Sequence, residues 1–235
     1  VLTGTSFIGF GCVLYSQIDS ARHSPWIWFF APALLLSVLG FLISLRLDAF
    51  TPDFDLQAHR RTVRSWSPQK YPSVDVFLPV CGEPIEVLHN TWAHVRRLAE
   101  TYPGPVTPLV LDDSDSPEVA AMADDFGFHY LVRPNRGWFK KAGNLRYGFE
   151  QSGGEFILIL DADFVPRTDL LHELLPYMDA DPRVGIVQSP QFFRVLDQQN
   201  WIERGAGAVQ ELFYRSVQVS RQRSSGSICV GSCAV

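Results

Sequence analysis

The 235-residue chain is short of several things, and each shortage excludes something. It has no dense basic stripe, and its 20 Lys and Arg are outnumbered by 25 Asp and Glu, so nucleic acid is a poor partner. Its four cysteines (Cys12, Cys81, Cys229 and Cys233) are scattered, with no C-x-x-C pair and no histidine at zinc-ligand spacing. They read as buried free thiols in a reducing compartment, not as a disulfide or zinc framework. There is no internal repeat, and no basic stretch ahead of the first apolar run to mark a secretory signal. Starting at Val1 and stopping on Val235, the chain is expected to be a piece of a longer protein.

What is abundant is apolar sequence at the start. Residues 1–18 lack any group charged at neutral pH, and 25–45 hold Trp26, Trp28, Phe29, Phe30 and a leucine run. Crossing a bilayer takes about 20 apolar residues; the second run meets that and the first nearly does. The expectation is a transmembrane hairpin over 1–45, with Trp26 and Trp28 at the membrane interface. One arginine, Arg22, lies in the connection, whereas Arg46, Arg60, Arg61 and Arg64 follow the second run. That bias places everything after the hairpin on the cytoplasmic side of an inner or plasma membrane. Residues 46–73, with Pro52, Pro68 and Pro72 and no sustained period, read as a juxtamembrane linker or membrane-surface segment.

From residue 74 apolar runs of strand length alternate with helical periods, the pattern of an α/β domain with a mostly parallel sheet. Strands are expected at 74–80, 107–111, 128–132, 156–160 and 184–188. Helices are expected over 84–98, 116–127, 140–149, 168–178 and 198–223. The unbroken apolar run 156–160 reads as a buried central strand. Carboxylates cluster where three strands end: Glu83 after the first, Asp112 and Asp113 after the second, Asp161 and Asp163 after the fourth. Carboxyl ends of sheet strands are where open α/β sheets bind ligands. Asp161 and Asp163, two apart on extended backbone, offer paired hard oxygens suited to Mg²⁺ or Mn²⁺ holding a diphosphate. The bland alternative at each strand end is turn and cap chemistry. Lys140 and Lys141 open a helix at Ala142-Gly-Asn144, adding cations and a helix N-terminus, both suited to phosphate.

Taken in order, Leu78-Pro-Val-Cys-Gly-Glu83, Leu111-Asp-Asp-Ser114, Lys141-Ala-Gly-Asn-Leu145, Leu160-Asp-Ala-Asp163 and Gln188-Ser-Pro-Gln-Phe192 resemble a family 2 glycosyltransferase of the cellulose synthase-like group. Ile228-Cys-Val-Gly-Ser-Cys-Ala-Val235 is similar to the segment ahead of that group's acceptor-site motifs, so the likeness runs over residues 74–235. The chain departs from the group at Val80, at Cys81-Gly82 and at Ile228 to Val230.

The resemblance implies a GT-A fold over 74–235, C-terminally incomplete, carrying a UDP-sugar donor and a growing glycan acceptor. Glu83, Asp112 and Asp113 would contact the nucleoside and Lys141 the diphosphate or nucleotide. Asp161 would serve the nucleotide and metal, Asp163 the metal, and Gln191 and Phe192 would lie near donor or acceptor sugar. It further implies inverting transfer to a β-linked polysaccharide, a general base beyond Val235, and further subunits of an export complex. Other readings stay open: a synthase of another β-glycan, a single-sugar transferase to lipid, or a catalytically silent membrane-anchored nucleotide-sugar sensor.

Overall fold

Alternation inside the apolar strand runs builds a three-layer sandwich. In strand β1 (Val74–Val80) every residue is buried. Val74, Val76, Leu78 and Val80 face one core and Phe77 faces another, as period-2 side-chain placement requires. Strands β2 (Val106–Asp112), β3 (His129–Leu131) and β4 (Phe156–Ile159) complete a sheet in the order β3-β2-β1-β4, with every pairing parallel. The computed structural model describes residues 2–50, 54–194, 196, 198–223 and 226–235. It divides into two units, one of Asp55–Gln198 with Ile228–Val235, the other of Val1–Phe54 with Gln199–Ser227.

On the larger core face of the first unit lie α4 (Ile85–Thr101), α5 (Pro117–Phe126) and α7 (Leu170–Ala180). Trp92, Leu88, Val95 and Leu98 of α4 are wholly buried there. On the opposite face α6 (Lys140–Gln151) presents Leu145 to Phe77, Leu109 and Leu111. It lies so close that a Cβ on Gly148 would come within 2.6 Å of the Leu111 side chain. Pro79 and Pro108 sit inside strands, where a missing N–H normally breaks a ladder. Both are tolerated because β4 pairs with β1 only as far as Phe77 and β3 pairs with β2 only from Leu109.

Several expectations need correcting. The strand over 156–160 is not central: β4 ends the parallel ladder, and β1 is the strand buried throughout. Its outer edge is covered instead by the chain end, where Ile159 exchanges backbone hydrogen bonds with Ala234 (3.0 Å) and Cys233 (2.8 Å). The strand expected at 184–188 is reduced to an isolated bridge from Gln188 to Ala234, with Val187 and Val235 bonded at 2.9 Å in both directions. Among the described residues its backbone bonds to the chain end run to Val235 and, from Ser189, to Cys233. Of the four thiols only Cys233 is buried; Cys12, Cys81 and Cys229 are exposed. The 46–73 stretch holds a regular helix, α3 (Leu56–Ser65), capped by the Asp55 carboxylate, which accepts from the Ala58 amide at 2.9 Å. Pro52 and the side chain of Arg46 lie outside the described residues.

In the other unit α1 (Leu2–His23) is followed by a 3-10 turn at Pro25–Phe30 and by α2 (Ala31–Phe50). Phe41 of α2 stacks on Phe10 of α1 at 4.1 Å between ring centroids. Among the described residues one stretch, Trp26–Ile43, is long and apolar enough to cross a membrane, and none of it is buried. The helix expected over 198–223 is interrupted: α8 (Trp201–Leu212) passes through a π-turn (Phe213–Gln218) into α9 (Val219–Arg223). Asn200 and Glu203 start α8 as a reciprocal capping box.

Candidate functional site at the strand ends

The strand order reverses between β1 and β4, because β2 follows β1 on one side and β4 joins on the other. Such a switch point leaves a crevice at the carboxyl ends of the strands. Glu83 from the β1 end and Asp161 and Asp163 from the β4 end are placed around it. Glu83 turns back, its carboxylate accepting from the Cys81 amide at 2.7 Å across Gly82.

The β2 end is a closed knot. Asp112 is fully buried. Its Oδ1 accepts from the Ser114 amide (2.7 Å) and hydroxyl (2.5 Å). Its Oδ2 accepts from the Ser116 amide (2.9 Å) and the Tyr130 hydroxyl (2.8 Å). Burial, and then Asp112 beside it, push the Tyr130 phenol up, so it stays a donor. Asp113, with 5% of its side chain exposed, takes both ends of the Arg133 guanidinium, at 2.5 Å from Nε and 2.6 Å from Nη2. That hydrogen bonding holds the Asp113 carboxyl below the usual range and the Arg133 guanidinium above its own.

Arg133 does more than balance a charge. Its Nη1 donates to the Trp138 carbonyl at 2.6 Å and its Nη2 to the Lys140 carbonyl at 3.2 Å. It thereby fixes the 134–140 loop that leads into α6. Gly143 sits in the angle, where a Cβ would lie 2.1 Å from the Trp138 carbonyl and 2.5 Å from the Arg133 guanidinium. Asn144, near the start of α6, is buried and donates to the Leu111 carbonyl at 2.6 Å.

The β4 end is open. Asp161 pairs with Lys141, which also donates to the Gly231 carbonyl at 3.1 Å. The Asp161 side chain keeps 31% of its surface and the Lys141 side chain 41%, and Asp163 is exposed. Ser232, 1% exposed, ties this end to the chain terminus. Its hydroxyl accepts from the Asp161 amide at 2.9 Å, and its carbonyl accepts from Gln188 (2.7 Å) and Gln191 (2.9 Å). Gln191 is therefore turned inward, while its neighbour Phe192 is 54% exposed.

Of the residues singled out by sequence, Lys141 and Asp161 touch, Gln191 joins them through Ser232, and Asp112 and Asp113 are engaged inside the protein. Arg133, Tyr130 and Ser232 were not anticipated, because each acts through a partner far along the chain; the first two stand in no motif, and nothing in the Ile228–Val235 stretch singles out Ser232. Among the described residues no group of three His, Cys, Asp or Glu side chains could hold a metal ion. The donor set at the β4 end is two carboxylates. That suits a hard cation that completes its shell with water and phosphate oxygens.

A family profile described as Glycosyl transferase family 2 matches residues 75–235. The chain is 33% identical to Cellulose synthase 1 of Komagataeibacter xylinus over 172 residues, 72% of this chain and 11% of that protein. It is 30% identical to the cellulose synthase catalytic subunit (UDP-forming) of Xanthomonas axonopodis pv. citri over 168 residues, 70% of this chain and 23% of that one. With Putative cellulose synthase 2 of Komagataeibacter xylinus the match, at 27% identity, extends over 95% of this chain. The chain thus spans about a tenth to a quarter of the length of such relatives. Among solved structures, a mannosyltransferase from Pyrobaculum calidifontis in complex with GDP-Man and Mn²⁺ aligns with a TM-score of 0.43 and 20% identity, covering 57% of this chain and 43% of that one. A likeness so slight says nothing of donor or metal here.

Proposed function

The chain belongs to glycosyl transferase family 2, and on that premise we propose that it carries the donor site of a membrane-anchored, cellulose synthase-like β-glycan synthase. The donor in this reading is a UDP-sugar, bound across the β1–β4 switch point of a GT-A domain. The observation that carries it is the contrast at the strand ends: Asp163 is exposed and Asp161, paired with Lys141, keeps part of its surface, whereas Asp112 and Asp113 are engaged inside the protein.

In this reading Asp161 and Asp163 hold Mg²⁺ or Mn²⁺, which when bound neutralises charge on the departing diphosphate. Lys141 adds a second cation from the start of α6. Glu83 and the Asp113–Arg133 pair border the nucleoside, with Asp112 shaping the turn that presents them. Gln191 and Phe192 flank the sugar-bearing side. An acceptor hydroxyl then attacks the anomeric carbon opposite the leaving UDP, giving a β-linkage from an α-linked donor. The general base is assigned to sequence outside this chain. Trp26–Ile43, packed against α1 through Phe10 and Phe41, anchors the domain to the membrane as one arm of a hairpin. The strand-end domain then lies on the cytoplasmic face, and the product passes to an export complex.

The test is UDP binding to the detergent-purified chain with Mg²⁺ and then with EDTA, beside the Asp161→Asn/Asp163→Asn variant. Binding that requires both metal and carboxylates is the expected result. Binding indifferent to metal and to both substitutions would overturn the assignment.

A further inference from the structure

The outward face of α3 carries a charge pattern unconnected with the strand ends. Two tethers fix which way this helix faces. His59 lies between the Tyr177 hydroxyl (2.7 Å) and the Glu173 carboxylate (2.5 Å) of α7. Trp66, just past the helix, donates its indole N–H to Asp179 at 3.0 Å. At 100° per residue, Arg60, Arg61 and Arg64 then fall on one arc of the helix opposite His59. All three are exposed. None forms an ion pair among the described residues.

Like charges three and four residues apart destabilise a helix. Three of them on one face, with no ion pair among the described residues, make sense against an anion outside the chain. The outer face of a helix is convex, so it fits an extended anionic surface better than a single phosphate ion. Planar guanidinium forks suit phosphodiester oxygens. Leu56, 48% exposed at the helix start, adds an apolar contact at its edge. The apolar stretch Trp26–Ile43 ends within about twenty residues upstream, the range in which basic residues meet the headgroup layer. A long nucleic acid fits less well, because the chain as a whole is acidic.

We propose that the Arg60–Arg61–Arg64 face of α3 binds the anionic lipid headgroups of the membrane that holds the preceding apolar stretch. The inference rests on the membrane-anchored part of the functional reading and not on the donor site. Its role is to hold the transferase domain against the bilayer surface through α7.

The test is hydrogen exchange of the full chain in nanodiscs of phosphatidylcholine alone and of phosphatidylcholine with phosphatidylglycerol. Amides of α3 should exchange roughly tenfold more slowly in the anionic discs, an effect reversed by high salt. The difference should vanish in Arg60→Gln/Arg61→Gln/Arg64→Gln and persist in the triple Lys variant, with α7 protection equal in all three proteins. Inorganic phosphate added to neutral discs should not reproduce it. Equal exchange in both discs overturns the proposal, as does a difference that survives the Gln substitutions. Protection by free phosphate would replace the lipid surface with an ion site, and protection by an RNA oligomer alone would replace it with nucleic acid. A chain that does not enter discs at all sinks the anchoring reading and this inference together; insertion without lipid dependence sinks this one only.

Discussion

Two pairs of aspartates stand at the ends of the two parallel strands that flank β1, and they have opposite fates. Asp112 and Asp113 are sealed: one is wholly buried under four hydrogen bonds, the other is gripped at both oxygens by Arg133. Asp163 is exposed, and Asp161, paired with Lys141, keeps part of its surface. Carboxylates whose bonds are all satisfied from inside hold a turn rigid. Carboxylates left accessible keep lone pairs for a ligand. One strand end is thus closed and the other left accessible.

Replacing Arg133 by Met should break that division most severely. The buried Asp113 carboxylate is left without its partner, and loss of one member of a buried pair costs about 3–5 kcal/mol. Urea unfolding measures it, and a loss below about 1 kcal/mol would mean that the pair is not buried in solution. Asp112→Asn comes next: its amide nitrogen cannot accept, so buried donors go unmet at a cost of about 2–3 kcal/mol. Asp163→Asn, by contrast, should change stability by no more than about 0.5 kcal/mol, as exposed substitutions do.

Acid sharpens the same contrast. Arg133 holds the folded Asp113 carboxyl below its unfolded value. The pair's contribution is therefore complete above the unfolded value of about 4 and is lost as pH falls through the lower, folded one. Unfolding free energies taken down through that window should fall less steeply in Asp113→Asn than in the unsubstituted chain. Identical slopes would mean that Asp113 is not held by Arg133. The smallest effect concerns the thiols. Burial raises the Cys233 thiol and keeps it protonated, so maleimide should modify Cys81 and Cys229 in the folded chain and reach Cys233 only on unfolding. Mass spectrometry of the labelled peptides reads this directly.

Much of this was legible along the chain. The strand-length run Val74–Val80, the Ser116-Pro117 helix start and the carboxylates after three strands all follow from local rules, and the structure has them where those rules put them. What was not legible is which aspartates are sealed. Arg133 and Tyr130 reach back some twenty residues to close the β2 knot, and Ser232 reaches some seventy to Asp161. Tertiary partners decide those fates, and no spacing announces them. The 184–188 run shows the converse failure: it reads as a strand along the chain, but what forms is an isolated bridge from Gln188 to Ala234.

The measurement that bears most directly on this division is calorimetric titration of UDP with Mn²⁺ into Asp163→Asn and Asp112→Asn, each paired with its own urea melt. The account predicts that Asp163→Asn melts like the unsubstituted chain and loses metal-dependent UDP binding, whereas Asp112→Asn is destabilised and binds UDP while still folded. An Asp163→Asn chain that binds UDP and Mn²⁺ as before would contradict it.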